Sequence, residues 1–136
     1  MKAVHLTKLM KGIRKIMGKA DEAAALHAGG SSCSGAVLGA FASEAGLSAP
    51  EVSRLAGPMA GGKMIKCGAV LAAEEVLKRK CPKETAEKKI EEFEAAFTGK
   101  NQSVVCREIR GLTGKGRLRS CRGCVTDSAE ILEEMI

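Results

Sequence analysis

With three Phe, no Tyr and no Trp in 136 residues, the chain has almost no large rings from which to build a core. Its interior must be filled by Ala, Leu, Ile, Val and Met, which suit elements that approach one another closely. Ala, Leu, Glu, Lys and Met are good helix formers, and no stretch shows the sustained alternation of apolar and polar residues, rich in β-branched side chains, that marks a strand. Hydrophobic residues at 45% and charged residues at 28% are the proportions of a packed chain rather than a disordered one. The expectation is an all-α fold, a compact single-domain helical bundle of about six to eight helices, several of them short.

A domain of this size buries a core without disulfides, so its six cysteines are free for chemistry. No run approaches the roughly 18 apolar residues of a membrane span. The N-terminus is basic from its start, and Lys11, Arg14 and Lys15 interrupt its apolar residues, so it does not read as a secretory signal. A cytoplasmic location is expected, and in that reducing compartment cysteines serve catalysis, redox sensing or metal binding.

Leu6, Leu9, Met10, Ile13, Ile16 and Met17 recur at helical spacing against Lys8, Lys11, Arg14 and Lys15. Residues 1–20 therefore read as a basic amphipathic N-terminal helix and residues 21–136 as the cysteine-bearing helical domain. That first helix packs on the domain, touches a partner or an anionic membrane surface, or builds a homodimer. Residues 21–28 form a helix stopped by Gly29 and Gly30, and Ser31 and Ser32 are N-cap residues for one running through Cys33 and Phe41 to Gly46. Ser48 and Glu51 match a capping box for a short helix that Gly57 and Pro58 close, with a loop to follow. A helix from Cys67 ends at Cys81 and Pro82. Ala86, Ile90, Phe93 and Phe97 make residues 83–97 the most regular helix, with Gly99 as its stop. A turn of helix over residues 104–109 holds Cys106, and Cys121 and Cys124 open a last helix marked by Val125, Ala129, Leu132 and Ile136.

Several cysteines thus fall at predicted helix starts, where backbone N–H groups and the helix dipole stabilise a thiolate and lower its pKa below about 8.5. Lys66 beside Cys67, Arg107 beside Cys106 and Arg122 between Cys121 and Cys124 are expected to push the same way. Cys81 reads as a small hydrophobe in an Ala-rich core. Cys121 and Cys124 are spaced to converge on one metal or to form one tight disulfide. A zinc ribbon would need a second Cys-x-x-Cys, which the sequence lacks, and Val125 stands where c-type haem attachment needs His.

Four stretches, SSCSGAVLGAFASEAGLS around Cys33, AGPMAGGKMIKCGAVLAAE around Cys67, CREIRG at Cys106 and CRGCVTDSAEILEE from Cys121, resemble the C_GCAxxG_C_C family of small prokaryotic proteins described as redox-active. The resemblance implies a compact helical domain that gathers Cys33, Cys67, Cys106 and Cys121, with Cys124 as an extra thiol close by. Members are also similar to part of the split-Soret cytochromes, which hold an iron–sulfur cluster, so the same four cysteines are the candidate ligands of a cluster or metal. Family members are often encoded near transporters, which implies a transporter component or a redox protein as partner. Ala72 departs from the family pattern, which has glycine there.

His5 and His27, the only histidines, have no second ligand pattern around them, and no Ser/His/Asp arrangement has credible spacing. Residues 107–122 contain Arg107, Arg110, Lys115, Arg117, Arg119 and Arg122 against Glu108 alone, within a net charge of +6. Nucleic-acid binding is disfavoured because the aromatics for base stacking and any recognised DNA-binding motif are missing, so the basic loop reads as a docking surface or an electropositive setting for thiolates. GLTGKGR lacks the Gly-Lys-Ser/Thr ending of a phosphate loop and any preceding strand. Two redox readings stay open: dithiol/disulfide exchange, as a thiol–disulfide enzyme or electron-transfer protein, and an iron–sulfur cluster. The reading of a different class is a non-catalytic module whose cysteines bind zinc or are structural and which docks on a transporter or other protein.

Overall fold

The computed structural model describes residues 18–114 and 116–136. The basic helix expected before Gly18, with His5, lies outside the described residues, as does Lys115. The described residues form eight helices and no strand: α1 (Lys19–Ala28), α2 (Cys33–Ala40), α3 (Ala42–Ala45), α4 (Ala49–Met59), α5 (Gly68–Lys80), α6 (Lys83–Asn101), α7 (Cys106–Ile109) and α8 (Cys121–Met135). The all-α architecture read from the sequence is the architecture found.

Local chemistry sets most of the boundaries. Ser32 caps α2 by accepting the Gly35 N–H at 3.1 Å, and Ser48 and Glu51 close the expected capping box on α4 at 3.0 and 3.3 Å. Three boundaries differ from expectation. The helix read across residues 33–46 breaks at Phe41, whose non-helical backbone leaves its ring fully buried. Gly57 and Pro58 do not close α4: proline in an exposed last turn forfeits one hydrogen bond, and the chain continues to buried Met59 before a 3₁₀ turn at Ala60–Gly62. Gly99 does not stop α6, which runs to buried Asn101 and ends where Gln102 turns left-handed. A helical glycine costs about 1 kcal/mol, less than burying the last turn returns.

Helix α5 is the hub, buried along its length from Gly68 to Leu77 and packed against α2, α3, α4, α6 and α8. Ala69, Ala72 and Ala73 are wholly inaccessible, and these small side chains let the neighbours come close. Ala72 is accommodated there in place of the family's glycine. Helix α8 closes the bundle over α1, α2, α5 and α6. Phe41, Phe93 and Phe97 are all fully buried, the last two stacked with centroids 6.2 Å apart, together with Leu38, Val70, Leu77, Val125 and Leu132. Each such side chain contributes about 1.5–3 kcal/mol by leaving water.

Two buried hydroxyls fix how the helices sit on one another. Ser128 of α8 donates to the Ala69 carbonyl in the first turn of α5 at 2.8 Å, and Ser34 of α2 donates to the Ala56 carbonyl of α4 at 2.8 Å. Each contributes about 1 kcal/mol, and each holds a cysteine-bearing helix start in register. Among the described residues no helix is long and apolar enough to cross a membrane.

Candidate functional site: a cavity walled by thiols

Four helix starts deliver the cysteines. Cys33 is the first residue of α2, Cys67 the N-cap of α5, Cys106 the first residue of α7, and Cys121 and Cys124 the first and fourth residues of α8. An isolated antiparallel bridge between Lys66 and Val105 brings the second and third together. Across it the Cys67 N–H donates to the Val104 carbonyl at 2.7 Å and the Cys106 N–H to the Ile65 carbonyl at 3.0 Å.

Cys33 is admitted by the absence of a side chain on Gly68. A Cβ there would stand 2.6 Å from Cys33 Sγ and 3.1 Å from the Met59 carbonyl oxygen, so only glycine lets α2 and α5 meet at their starts. The loop after α7 is tied back through Leu118 N–H, which donates to the Ile109 carbonyl at 2.9 Å. Arg119 then lies across the bare face of Gly123 and holds the Asp127 carboxylate with two bonds of 3.1 and 3.3 Å.

The result is one small cavity of about 20 Å³ lined by Cys33, Cys67, Cys106, Cys121 and Cys124, with Gly68, Ile109, Arg110 and Arg119 completing the wall. All five candidate cysteines border it as free thiols. Cys81 stands apart, half-buried at the C-terminal end of α5, and His27, near the end of α1, does not line it.

The thiols do not share one acidity. Cys67 is lowered to about 7, first because the Cys124 S–H donates to it and then because the Ala69 and Val70 N–H groups do, together outweighing its burial. Cys124 is held up by that same hydrogen bond, by burial and by the nearby Cys67 and Asp127 charges. Burial, then the Cys67 charge, raises Cys33 against the opposing Ser34 N–H. Cys106 is raised the same way, opposed by a hydrogen bond and charge from Arg110. The expectation that helix starts and basic neighbours lower these thiols together is therefore corrected for Cys33, Cys106 and Cys124.

The neighbours themselves also differ from the sequence reading. Lys66 turns away from Cys67 to Glu94 at 2.6 Å and Glu74 at 3.3 Å. Arg110 and Arg119, counted in the sequence only as part of a basic loop, are the cations in the wall. Gly68 carried a signal, a glycine directly after a cysteine in a small-residue run. The Arg119–Asp127 pair carried none, because it depends on how an irregular loop folds back.

A family model described as "Putative redox-active protein (C_GCAxxG_C_C)" matches residues 31–135. The chain belongs to the C_GCAxxG_C_C family. The C_GCAxxG_C_C match spans every element from α2 onward and all six cysteines, and it supports a general redox role. No curated protein and no solved structure matches the chain.

A zinc ion or an iron–sulfur cluster on Cys33, Cys67, Cys106 and Cys121 suits the donor chemistry, since thiolates hold both. It does not fit the arrangement. A cavity of about 20 Å³, room for one water, is too small for an iron–sulfur cluster, and for a zinc ion no three His, Cys, Asp or Glu side chains among the described residues are grouped so as to hold it. What the site does offer is an exposed thiol and a buried thiol one helical turn apart, with a third thiol, lowered to about 7, on the same cavity wall.

Proposed function

We propose that this C_GCAxxG_C_C protein is a thiol–disulfide exchange protein whose working couple is Cys121 and Cys124, with Cys67 as the group that takes up the proton. Cys121 is exposed on the first turn of α8, while Cys124 is only 2% exposed. Residues three apart on a helix are neighbours, so the two sulfurs lie within reach of one bond.

Cys121, as thiolate, attacks one sulfur of a partner disulfide; that S–S bond breaks, and the partner's other sulfur leaves as a thiolate that takes a proton from water. Cys124 then attacks Cys121 in the mixed disulfide, releasing the partner's second thiol and leaving the Cys121–Cys124 disulfide. Two electrons have passed to the partner; the Cys121 proton went to solvent before the attack, the Cys124 proton passes to Cys67, and both partner thiolates take their protons from water. The Cys124 proton has a destination in Cys67, which lines the same cavity and whose pKa is lowered by its neighbour Cys124. Run backwards, the same steps oxidise a partner dithiol. Cys33 and Cys106, kept protonated by burial, serve as the apolar wall that excludes water from the bond being made. A reducing cytoplasm is the compartment that would recharge such a couple.

The observation that carries this reading is the placement of exposed Cys121 and buried Cys124 one helical turn apart at the start of α8, on the cavity that Cys67 also lines. Reaction with 2-hydroxyethyl disulfide tests it. Cys124→Ser should accumulate a mixed disulfide on Cys121, visible as a mass gain, and Cys121→Ser should lose most of the exchange rate. A Cys121→Ser protein that exchanges as fast as the parent would overturn the assignment. Anaerobically purified protein with stoichiometric iron and absorbance above 350 nm would replace it with the cluster reading.

A further inference from the structure

The segments that carry Cys67 and Cys106 to the cavity also carry exposed apolar side chains. Met64 and Ile65 precede Cys67, and Leu112 follows α7; these are three of the five large hydrophobic side chains left exposed. The Ile65 carbonyl holds the Cys106 N–H and the Leu112 N–H is bonded to the Arg107 carbonyl, so all three sit on the two segments that flank Cys106.

Ile65 is 68% exposed and is held at φ +76°, with the Lys66 N–H bonded to the Met64 carbonyl across it at 2.9 Å. That is a γ-turn of the strained, positive-φ kind, which a β-branched residue enters only at a cost. A glycine would relieve the strain, so a β-branched side chain held largely in solvent at this position costs local stability. Strain of this sort persists where a side chain is wanted at a working surface.

The same rim is strongly cationic. Arg107, Arg117 and Arg122 are exposed and, among the described residues, make no ion pair, and Arg110 stands in the cavity wall. The neighbouring carboxylates are committed elsewhere: Glu108 accepts from Ser103 Oγ at 2.6 Å, and Asp127 is held by Arg119. All three phenylalanines are buried, and without Tyr or Trp the rim has no ring on which a nucleobase could stack.

We infer that this rim is the docking surface for an acidic, leucine- or isoleucine-bearing segment of a protein that carries the disulfide or dithiol exchanged at Cys121. The inference rests on the exchange reading and adds the partner's chemistry to it. Carboxylates of the segment meet Arg107, Arg117 and Arg122 and steer the encounter, while its apolar side chain covers Ile65, Met64 and Leu112 and presents its sulfur to Cys121. A polypeptide satisfies both requirements, and a nucleic acid has neither the sulfur nor a place to stack.

The test uses two short peptides of the full-length protein's would-be substrate chemistry, one rich in Asp and Glu and one rich in Lys, each with a leucine beside a single cysteine capped by thionitrobenzoate. Attack of Cys121 on the peptide sulfur releases the coloured thionitrobenzoate. The acidic peptide should react at least about tenfold faster than the basic one at low salt, with the gap closing as salt rises. Arg107→Glu with Arg117→Glu should erase the gap while leaving the rate with neutral 2-hydroxyethyl disulfide unchanged, and Met64→Ser with Leu112→Ser should slow the acidic peptide alone. Equal rates for the two peptides, with normal exchange on the small disulfide, would overturn the docking surface and leave the exchange reading standing. No reaction with any disulfide would overturn both. A single-stranded oligonucleotide that blocks Cys121 more strongly than an uncapped acidic peptide would assign the rim to nucleic acid instead.

Discussion

The starts of α2 and α5 touch one another and each places a cysteine in the same cavity, yet burial moves Cys33 up while Cys67 moves down to about 7. Proximity to a helix N-terminus is common to both and cannot be the cause of the difference. Position relative to the cap is. In α2 the cap is Ser32, whose hydroxyl takes the free Gly35 N–H, so Cys33 behind it receives only the Ser34 N–H. In α5 the cap is Cys67 itself, whose side chain forms no cap hydrogen bond, and the field of the nearby Ala69 and Val70 N–H groups adds to the larger effect of Cys124 in lowering its pKa. Once Cys67 is charged, its field raises Cys33, Cys106 and Cys124, so these three stay protonated beside it.

The comparison depends first on the two starts being in contact, and the largest effect should come from separating them. Gly68→Val would drive a branched side chain into Cys33 Sγ and the Met59 carbonyl. It should cost about 3 kcal/mol, the upper end for overpacking, read from urea unfolding. A neutral outcome would mean that α2 and α5 do not meet as described.

The second effect is the pH dependence of stability. Cys67 has its folded pKa lowered from 9.0 to about 7, so the unfolded chain binds the extra proton between those values and stability rises with pH across that window. Its contribution is fully present above about pH 9, is lost as the pH falls through 7, and is on the order of 3 kcal/mol. Cys33, Cys106 and Cys124, raised in the fold, act with the opposite sign at higher pH. Unfolding measured under reducing conditions should therefore show a maximum on the alkaline side of neutrality that Cys67→Ser removes. A flat profile would place no thiolate in the folded cavity.

The sequence made the helices legible and the site only in part, for one physical reason. Helix α6 announces itself through Ala86, Ile90, Phe93 and Phe97, because a buried stripe leaves a periodic trace, and Ser48 with Glu51 spelled out their own cap. The five thiols could be named by kind and by family resemblance. Their meeting depends on the Lys66–Val105 bridge, the bare face of Gly68 and the fold-back of the loop before Arg119, and irregular backbone has no period to read. The acidity of Cys33 is not legible because a cysteine one residue past the cap looks, in sequence, nearly the same as one on it.

Two smaller effects divide Cys67's acidity between its donors. Cys124→Ala removes the S–H donor and keeps the Ala69 and Val70 N–H groups, so the Cys67 pKa should rise by about one unit, or 1.4 kcal/mol, followed by thiolate absorbance against pH. No rise would assign the whole shift to the backbone.

The smallest test asks whether the cap position alone suffices. Exchanging the two residues at the start of α2, Ser32→Cys with Cys33→Ser, places a thiol where the serine hydroxyl now accepts the Gly35 N–H and where exposure removes the burial that lifts Cys33. It has no S–H donor to help it, so the gain should be that of a charge at a helix N-terminus, about 0.3–1 kcal/mol or roughly half a pKa unit below the ordinary thiol. Alkylation across pH, with the modified peptide followed by mass, reads this thiol apart from the others. Should it titrate as high as Cys33 does, cap position would not be what separates the two helix starts, and the lowered pKa of Cys67 would belong to Cys124 alone.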